Sequence, residues 1–218
     1  MAEKVVLMPN LATWMRAKDA KWFRPIFRSH PEIKVWNARI RNVPLNRMDG
    51  LLLTGGSDIS PEFLRQKVLD PSLLDKQTDL ERDRWEFAAV MKVLARGLPI
   101  FAICKGLQVF NVTLGGTLKL DIKGHNLPEQ RDREIQPLRH SRRASHRFSK
   151  VNSAHHQAIE QLGDDLEVEA WSAHDGIVEQ IHLRKYPFAH AVQYHPERSR
   201  VYDSLFEEFF SRLKTHKH

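Results

Sequence analysis

The sequence predicts an α/β fold, a doubly wound and mainly parallel sheet with flanking helices. Two observations point there. Short apolar segments of strand character alternate along the chain with helical patterns, the signature of a parallel sheet covered on both faces. One apolar strand also runs straight into a small-residue turn and then a helix, Pro99-Ile100-Phe101-Ala102-Ile103-Cys104-Lys105-Gly106-Leu107-Gln108, a connection typical of such sheets.

The predicted strands are Val5 to Met8, Leu51 to Leu53, Pro99 to Ile103, Glu167 to Trp171 and Ala189 to Gln193. Between several of them helices are expected. Over Glu81 to Arg96, Trp85, Ala88, Ala89 and Val93 recur at helical spacing, and Gly97 stands where a C-cap belongs. From Tyr202 to Leu213 the residues Tyr202, Leu205, Phe206, Phe209, Phe210 and Leu213 fall at steps of three and four, an apolar stripe for packing on the sheet. The helix after Cys104 should reach about Leu114, before Gly115-Gly116. Thr117 to Ile122 and Ile177 to Leu183 read as shorter strands in hairpin-like excursions. The polar, basic and non-periodic stretch from Asn126 to Lys150 reads as loop or short irregular strands.

At 218 residues the expectation is one domain spanning 1–218. Hydrophobic content of 41% and charged content of 28% are those of an ordinary globular protein. No apolar run has the length of a membrane span, and Val5 to Met8 is too brief for a signal-peptide core, so the expected location is cytoplasmic, without membrane association. The net charge of +7 is compatible with nucleic-acid binding. No nucleic-acid motif accompanies the basic residues gathered between Arg131 and Lys150, so no nucleic-acid partner is expected.

The lone cysteine cannot form an internal disulfide and is either an inert core residue or a nucleophile. Its strand-turn-helix setting favours the second, with Cys104 presented at the strand end rather than buried. There the helix dipole favours a thiolate, and the N–H of Lys105 can face an oxyanion. Val192-Gln193-Tyr194-His195-Pro196-Glu197 supplies a base at the end of another strand. Proline keeps its predecessor extended, which puts His195 and Glu197 on one side of the backbone and lets Glu197 orient the imidazole. Nucleophile, base and orienter then make a triad of Cys104, His195 and Glu197. Leu51 to Leu53 ends in Gly55-Gly56, where backbone N–H groups can approach a substrate, so Gly56 is a second oxyanion candidate. The same pair also suits a plain tight turn.

With these motifs the chain resembles the class I glutamine amidotransferase-like superfamily and, within it, the γ-glutamyl-γ-aminobutyrate hydrolase-like peptidases. The superfamily's elbow appears as Ala102-Ile103-Cys104-Lys105-Gly106-Leu107-Gln108 and its closing motif as His195-Pro196-Glu197. The narrower family is suggested by Gly55-Gly56-Ser57-Asp58, by Arg82-Asp83 with Glu86, by Asn111-Val112 with Leu114-Gly115-Gly116-Thr117, by Val151-Asn152-Ser153-Ala154-His155-His156-Gln157, and by Asp175-Gly176 with Glu179. Two departures stand out: Ala102 replaces the usual elbow glycine, and the first 50 residues resemble the family only weakly.

The resemblance implies a flavodoxin-like fold and hydrolysis of a γ-glutamyl amide through a thioester on Cys104, with His195 as base, Glu197 as orienter, and Gly56 with Lys105 as the oxyanion hole. No cofactor is expected. Gly55, Gln108, His155 and His156 are the candidate substrate-binding residues, Gln108 lying one helical turn after Cys104 on the same face. Metal binding by His155 and His156 is not expected, because neighbours in an extended segment point to opposite faces and no Cys or carboxylate beside them completes a ligand set. Arg82, Asp83 and Glu86 carry the charges usual on a solvated helix face, and for them the resemblance implies a structural or pocket-rim role. A glutaminase feeding ammonia to a separate synthetase, a non-catalytic binding protein of the same fold, and pairing as a homodimer stay open.

Overall fold

The computed structural model describes residues 8–215. Its strands and helices are, in order, β1 (Asn10–Trp14), α1 (Ala20–Ser29), β2 (Lys34–Asn37), β3 (Gly50–Leu53), α2 (Leu80–Ala95), β4 (Ile100–Ile103), α3 (Lys105–Thr113), β5 (Thr117–Lys119), β6 (Gln136–His140), β7 (Lys150–Val151), β8 (Ala158–Gln161), β9 (Leu166–Ser172), β10 (Val178–Leu183), β11 (Ala189–Val192) and α4 (Asp203–Thr215). The expected strand from Val5 lies outside the described residues up to Leu7. Met8 precedes the strand, which begins at Asn10.

Nine strands form one sheet in the order β2-β1-β3-β4-β11-β10-β9-β6-β7, while β5 and β8 make a separate antiparallel pair. The block β2-β1-β3-β4-β11 is parallel throughout, and β10, β9, β6 and β7 extend it antiparallel. The α/β fold thus holds. Two of the extending strands, β6 and β7, arise in the basic stretch whose lack of periodicity suggested loop.

Alternation along the central strands sorts side chains to two faces. Leu51, Leu53, Ile100 and Ala102 pack with Ala89, Val90 and Val93 of α2 and Leu107 and Phe110 of α3. Leu52, Phe101 and Ile103 pack on the other face with Phe23 of α1 and Phe206, Phe209, Phe210 and Leu213 of α4. The stripe on α4 is therefore core, and Phe101 meets the ring of Phe206 edge-on at 5.3 Å. At Gly97 the backbone is left-handed, with φ of 67°, as its C-cap position requires.

Parallel register brings the carboxyl ends of the central strands level. Leu53 lies beside Ala102, and Ile103 lies beside Val192. The loops that begin at Thr54, Cys104 and Gln193 consequently emerge side by side, at the edge where open α/β sheets bind ligands.

Two of these loops are tied to α2 by charges that are buried, not solvated. The guanidinium of Arg82 donates to the carbonyls of Gly55 (3.0 Å) and Thr54 (2.7 Å) and pairs with Glu86 (2.9 Å). Asp83 pairs with Lys105 Nζ at 2.6 Å and accepts from the Ser60 N–H at 2.8 Å. Lys105 is 1% exposed and Asp83 fully buried, so these charges are structural and do not form a solvated face. The reason is that α2 packs against the loops beyond β3 and β4, and those loops present backbone carbonyls and an ammonium that need partners. Removing one member of such a pair strands the other charge. Asp83→Ala should lower stability by about 3–5 kcal/mol in urea unfolding, whereas an exposed control, Glu81→Ala, should stay within about 1 kcal/mol.

Candidate active site

Cys104 sits at the junction of β4 and α3 with φ of 53° and ψ of −108°, a conformation that L residues rarely adopt. Two backbone hydrogen bonds hold it there. The Cys104 N–H donates to Val192 O (2.8 Å), and its carbonyl accepts from the Gln108 N–H (3.2 Å). The elbow also needs Gly106, because a Cβ there would stand 2.8 Å from the Leu53 carbonyl oxygen. Ala102 is accommodated in the sheet core and is fully buried.

The expectation that Cys104 is presented rather than buried is corrected in one respect: the residue is on a strained elbow, yet only 6% exposed. Its cover comes from the neighbouring loop ends. A Cβ on Gly55 would lie 2.7 Å from His195 Cε1 and 3.7 Å from Cys104 Cβ, so the first glycine of the pair is the gap that lets the three loops close up. Gly56 abuts Arg82 Nη1 and the Lys105 side chain, at 2.6 and 2.7 Å from its would-be Cβ.

His195 follows β11 and donates through Nδ1 to Glu197 Oε1 at 2.7 Å, and its ring and Cys104 both border the space over Gly55. Both members of the pair are buried. Burial by itself disfavours the imidazolium, but the negative charges of Glu197 and the Cys104 sulfur outweigh it and hold the His195 pKa at about 10. The backbone of His195 is clamped by Asn152, whose side chain accepts from its N–H (2.8 Å) and donates to its carbonyl (2.9 Å). Asn152 belongs to a motif visible in the sequence, but nothing in its spacing connects it with His195 across 43 residues. Outside Glu197 a groove of about 470 Å³ opens between α1 and the turn after β11. Trp22, Ile26, Pro196, Arg198 and Phe206 line it, and it reaches neither Cys104 nor His195.

Gln108, one turn beyond Cys104, is buried and lies at 3.4 Å from Gln157 O and 3.5 Å from Gln193 Oε1. Among the described residues, both polar atoms of the Gln157 side chain and Nε2 of Gln193 are buried without a protein partner. The adjacent histidines diverge, as extended backbone requires. His156 pairs with Asp58 (3.0 Å) and approaches Asp121 (3.5 Å), and the Asp58 hydrogen bond holds its pKa up at about 9. His155 turns inward and meets Glu179 at 3.5 Å. In the sequence no carboxylate stands beside these histidines to complete a ligand set. The fold supplies one, Glu179, together with His125, because the loop after β5 and strand β10 converge on His155.

Among the described residues no helix is long and apolar enough to cross a membrane. In comparisons with known proteins, Rv2859c of Mycobacterium tuberculosis is 36% identical over 165 residues, covering 71% of this chain and 52% of that protein. The chain thus spans about half the length of that relative. The γ-glutamyl-γ-aminobutyrate hydrolase PuuD of Escherichia coli K12 is 32% identical over 199 residues, covering 79% of this chain and 74% of that one. A glutamine amidotransferase structure from Thermotoga maritima superposes with a TM-score of 0.60 at 14% identity, over 95% of this chain and 94% of the other, a likeness of fold. The family model of peptidase C26 matches residues 36–197, from β2 through the triad candidates, and the chain belongs to the peptidase C26 family.

Proposed function

We propose that the protein hydrolyses γ-glutamyl amides through a cysteine nucleophile. The observation that carries this reading is the strained Cys104 on its elbow, beside a buried His195 that Glu197 orients. The activity named for the PuuD relative and membership of a peptidase family support a C–N hydrolase.

The Cys104 sulfur attacks the γ-carbonyl carbon, and the carbonyl π electrons move to oxygen. Lys105 opens α3, so its N–H has no acceptor within the helix and is available to that oxygen; the Gly56 N–H is the second donor. The C–N bond then breaks as His195 Nε2 gives its proton to the leaving amine, leaving a γ-glutamyl thioester. Water attacks the thioester carbonyl, His195 takes its proton, and the C–S bond breaks to release glutamate and the thiolate. Glu197 stabilises the imidazolium at each proton transfer. The unpartnered amide groups of Gln157 and Gln193, beside Gln108, are suited to the polar glutamyl head, which would satisfy them on binding. Gly55 lets the His195 ring close up against Cys104, and His156 stands with Asp58 at the end of the glycine loop.

The direct test measures amine and glutamate released from a panel of γ-glutamyl amides, glutamine included. Turnover should fall by at least about a thousandfold in Cys104→Ala, comparable to losing a triad nucleophile. Turnover by that variant equal to the unaltered chain would end the proposal, and turnover seen only with an added synthetase would turn it toward ammonia donation.

A pH profile tests the role of His195. Its raised pKa keeps the ring protonated through neutral pH, and the proton needed by the leaving amine is lost as pH rises through about 10. The same sign applies to stability: the ion-pair contribution is complete below the unfolded value of 6.5 and disappears as pH climbs through about 10. kcat/KM should therefore hold across neutral pH and decline on an alkaline limb near 10, and Glu197→Gln should move that limb to lower pH. A limb that stays in place in Glu197→Gln would separate Glu197 from the histidine.

A further inference from the structure

We infer that His125, His155 and Glu179 form a binding site for a first-row divalent metal ion, with Zn²⁺ the best match. The site is independent of the chemistry proposed for Cys104. All three side chains are buried, at 4%, 4% and 0% exposure, and their ligand atoms lie within 4.8 Å of one another.

Hydrogen bonds on the outer side of each ring decide which nitrogen faces inward. His125 Nε2 donates to Asp175 Oδ2 at 2.9 Å, so a neutral His125 ring binding a metal would offer the lone pair of Nδ1. His155 Nδ1 donates to the Gln157 carbonyl at 2.8 Å, which leaves its lone pair on Nε2. Those inner atoms stand 3.4 and 3.5 Å from Glu179 Oε1, so both rings and the carboxylate converge on one point where a cation, metal ion or proton, must lie. The Ser153 hydroxyl donates to the His125 carbonyl at 2.8 Å, and its oxygen lies 3.4 Å from His125 Nδ1. Gln136 Nε2 donates to Oε1 at 2.6 Å, while Glu179 Oε2 and His155 Nε2 are buried without a hydrogen-bond partner among the described residues. Converging acceptors in a buried space repel one another unless a cation lies among them.

The dimensions suit zinc. Tetrahedral bonds of about 2.0–2.1 Å place neighbouring ligand atoms roughly 3.3 Å apart, close to the separations at Glu179. Two imidazoles and one carboxylate also form a donor set of the borderline kind that zinc takes, and a carboxylate or carbonyl behind each histidine is the usual outer support. Asp175 is partly exposed, so the His125 side offers access from solvent. The ion would join the loop after β5, the segment before β8 and strand β10, next to the Gln157 carbonyl approached by Gln108.

The test uses the full chain carrying Cys104→Ala, which removes the sulfur as a competing zinc ligand. After chelator treatment, Zn²⁺ titration should show about one ion bound per chain and raise Tm, and Co²⁺ should give visible d–d bands of a His-ligated site. Glu179→Gln in that background should abolish binding, and Asp175→Asn should weaken it about tenfold. His156→Gln, altering a ring that points to Asp58, should leave it unchanged. Should Glu179→Gln not fold, Asp175→Asn carries the comparison. Absence of zinc uptake and of any Tm change would overturn the inference, leaving a proton as the cluster's cation. Uptake unaltered by Asp175→Asn and Glu179→Gln would also overturn it by placing the ion elsewhere.

Discussion

The ion pair between Lys105 and Asp83 sits under the whole carboxyl edge of the sheet. Lys105 is the residue after Cys104, and its ammonium is taken out of water to meet a carboxylate on α2. One helical position earlier, Arg82 reaches the carbonyls of Thr54 and Gly55. A single turn of α2 thereby anchors both the elbow and the glycine loop that closes over it. Such pairs are costly to bury and seldom improve stability over apolar packing, so their value lies in what they position. Here the positions are a cysteine at φ of 53° and a loop that approaches His195 within the space of a missing Cβ.

The opposite side of the site is held by hydrogen bonds rather than charge. Asn152 grips His195 by its own N–H and carbonyl, and the Asn152 N–H in turn donates to the Tyr202 hydroxyl at 3.3 Å. Tyr202 packs in the aromatic cluster leading to α4, so the imidazole is referenced to the helix that covers the sheet. With its ring hydrogen-bonded to Glu197, His195 has little freedom left, and Glu197 and the neighbouring Cys104 hold it toward the imidazolium. The proposed chemistry needs that arrangement, since the same ring must give a proton to an amine and later take one from water.

Antiparallel strands β10, β9, β6 and β7 widen the sheet beyond its parallel core and bring a second set of side chains near the first. Glu179 lies on β10, and its carbonyl accepts from the Gln193 N–H, two residues before His195. The buried His125, His155 and Glu179 group is thus built on the strand adjoining β11. Stability of this outer half bears directly on the segment that holds His195.

Local pattern alone determined the alternating strands and helices of the central sheet, the elbow at Cys104, and the pairing of His195 with Glu197, because each rests on residues within a few positions of one another. The stripe on α4 and the C-cap at Gly97 were legible for the same reason. The first strands were not: β1 and α1 carry mixed polar and aromatic residues, with Pro25 inside the helix, and only packing against Phe206 and Phe210 makes their burial evident. β6 and β7 likewise depend on an edge provided by β9. Tertiary structure alone decided that Arg82, Asp83 and Glu86 face inward, that Asn152 clamps His195, that Cys104 is covered, and that His155 meets His125 and Glu179. Each is a contact between segments distant in sequence, and a charged or amide side chain carries no periodic sign of the partner that will bury it.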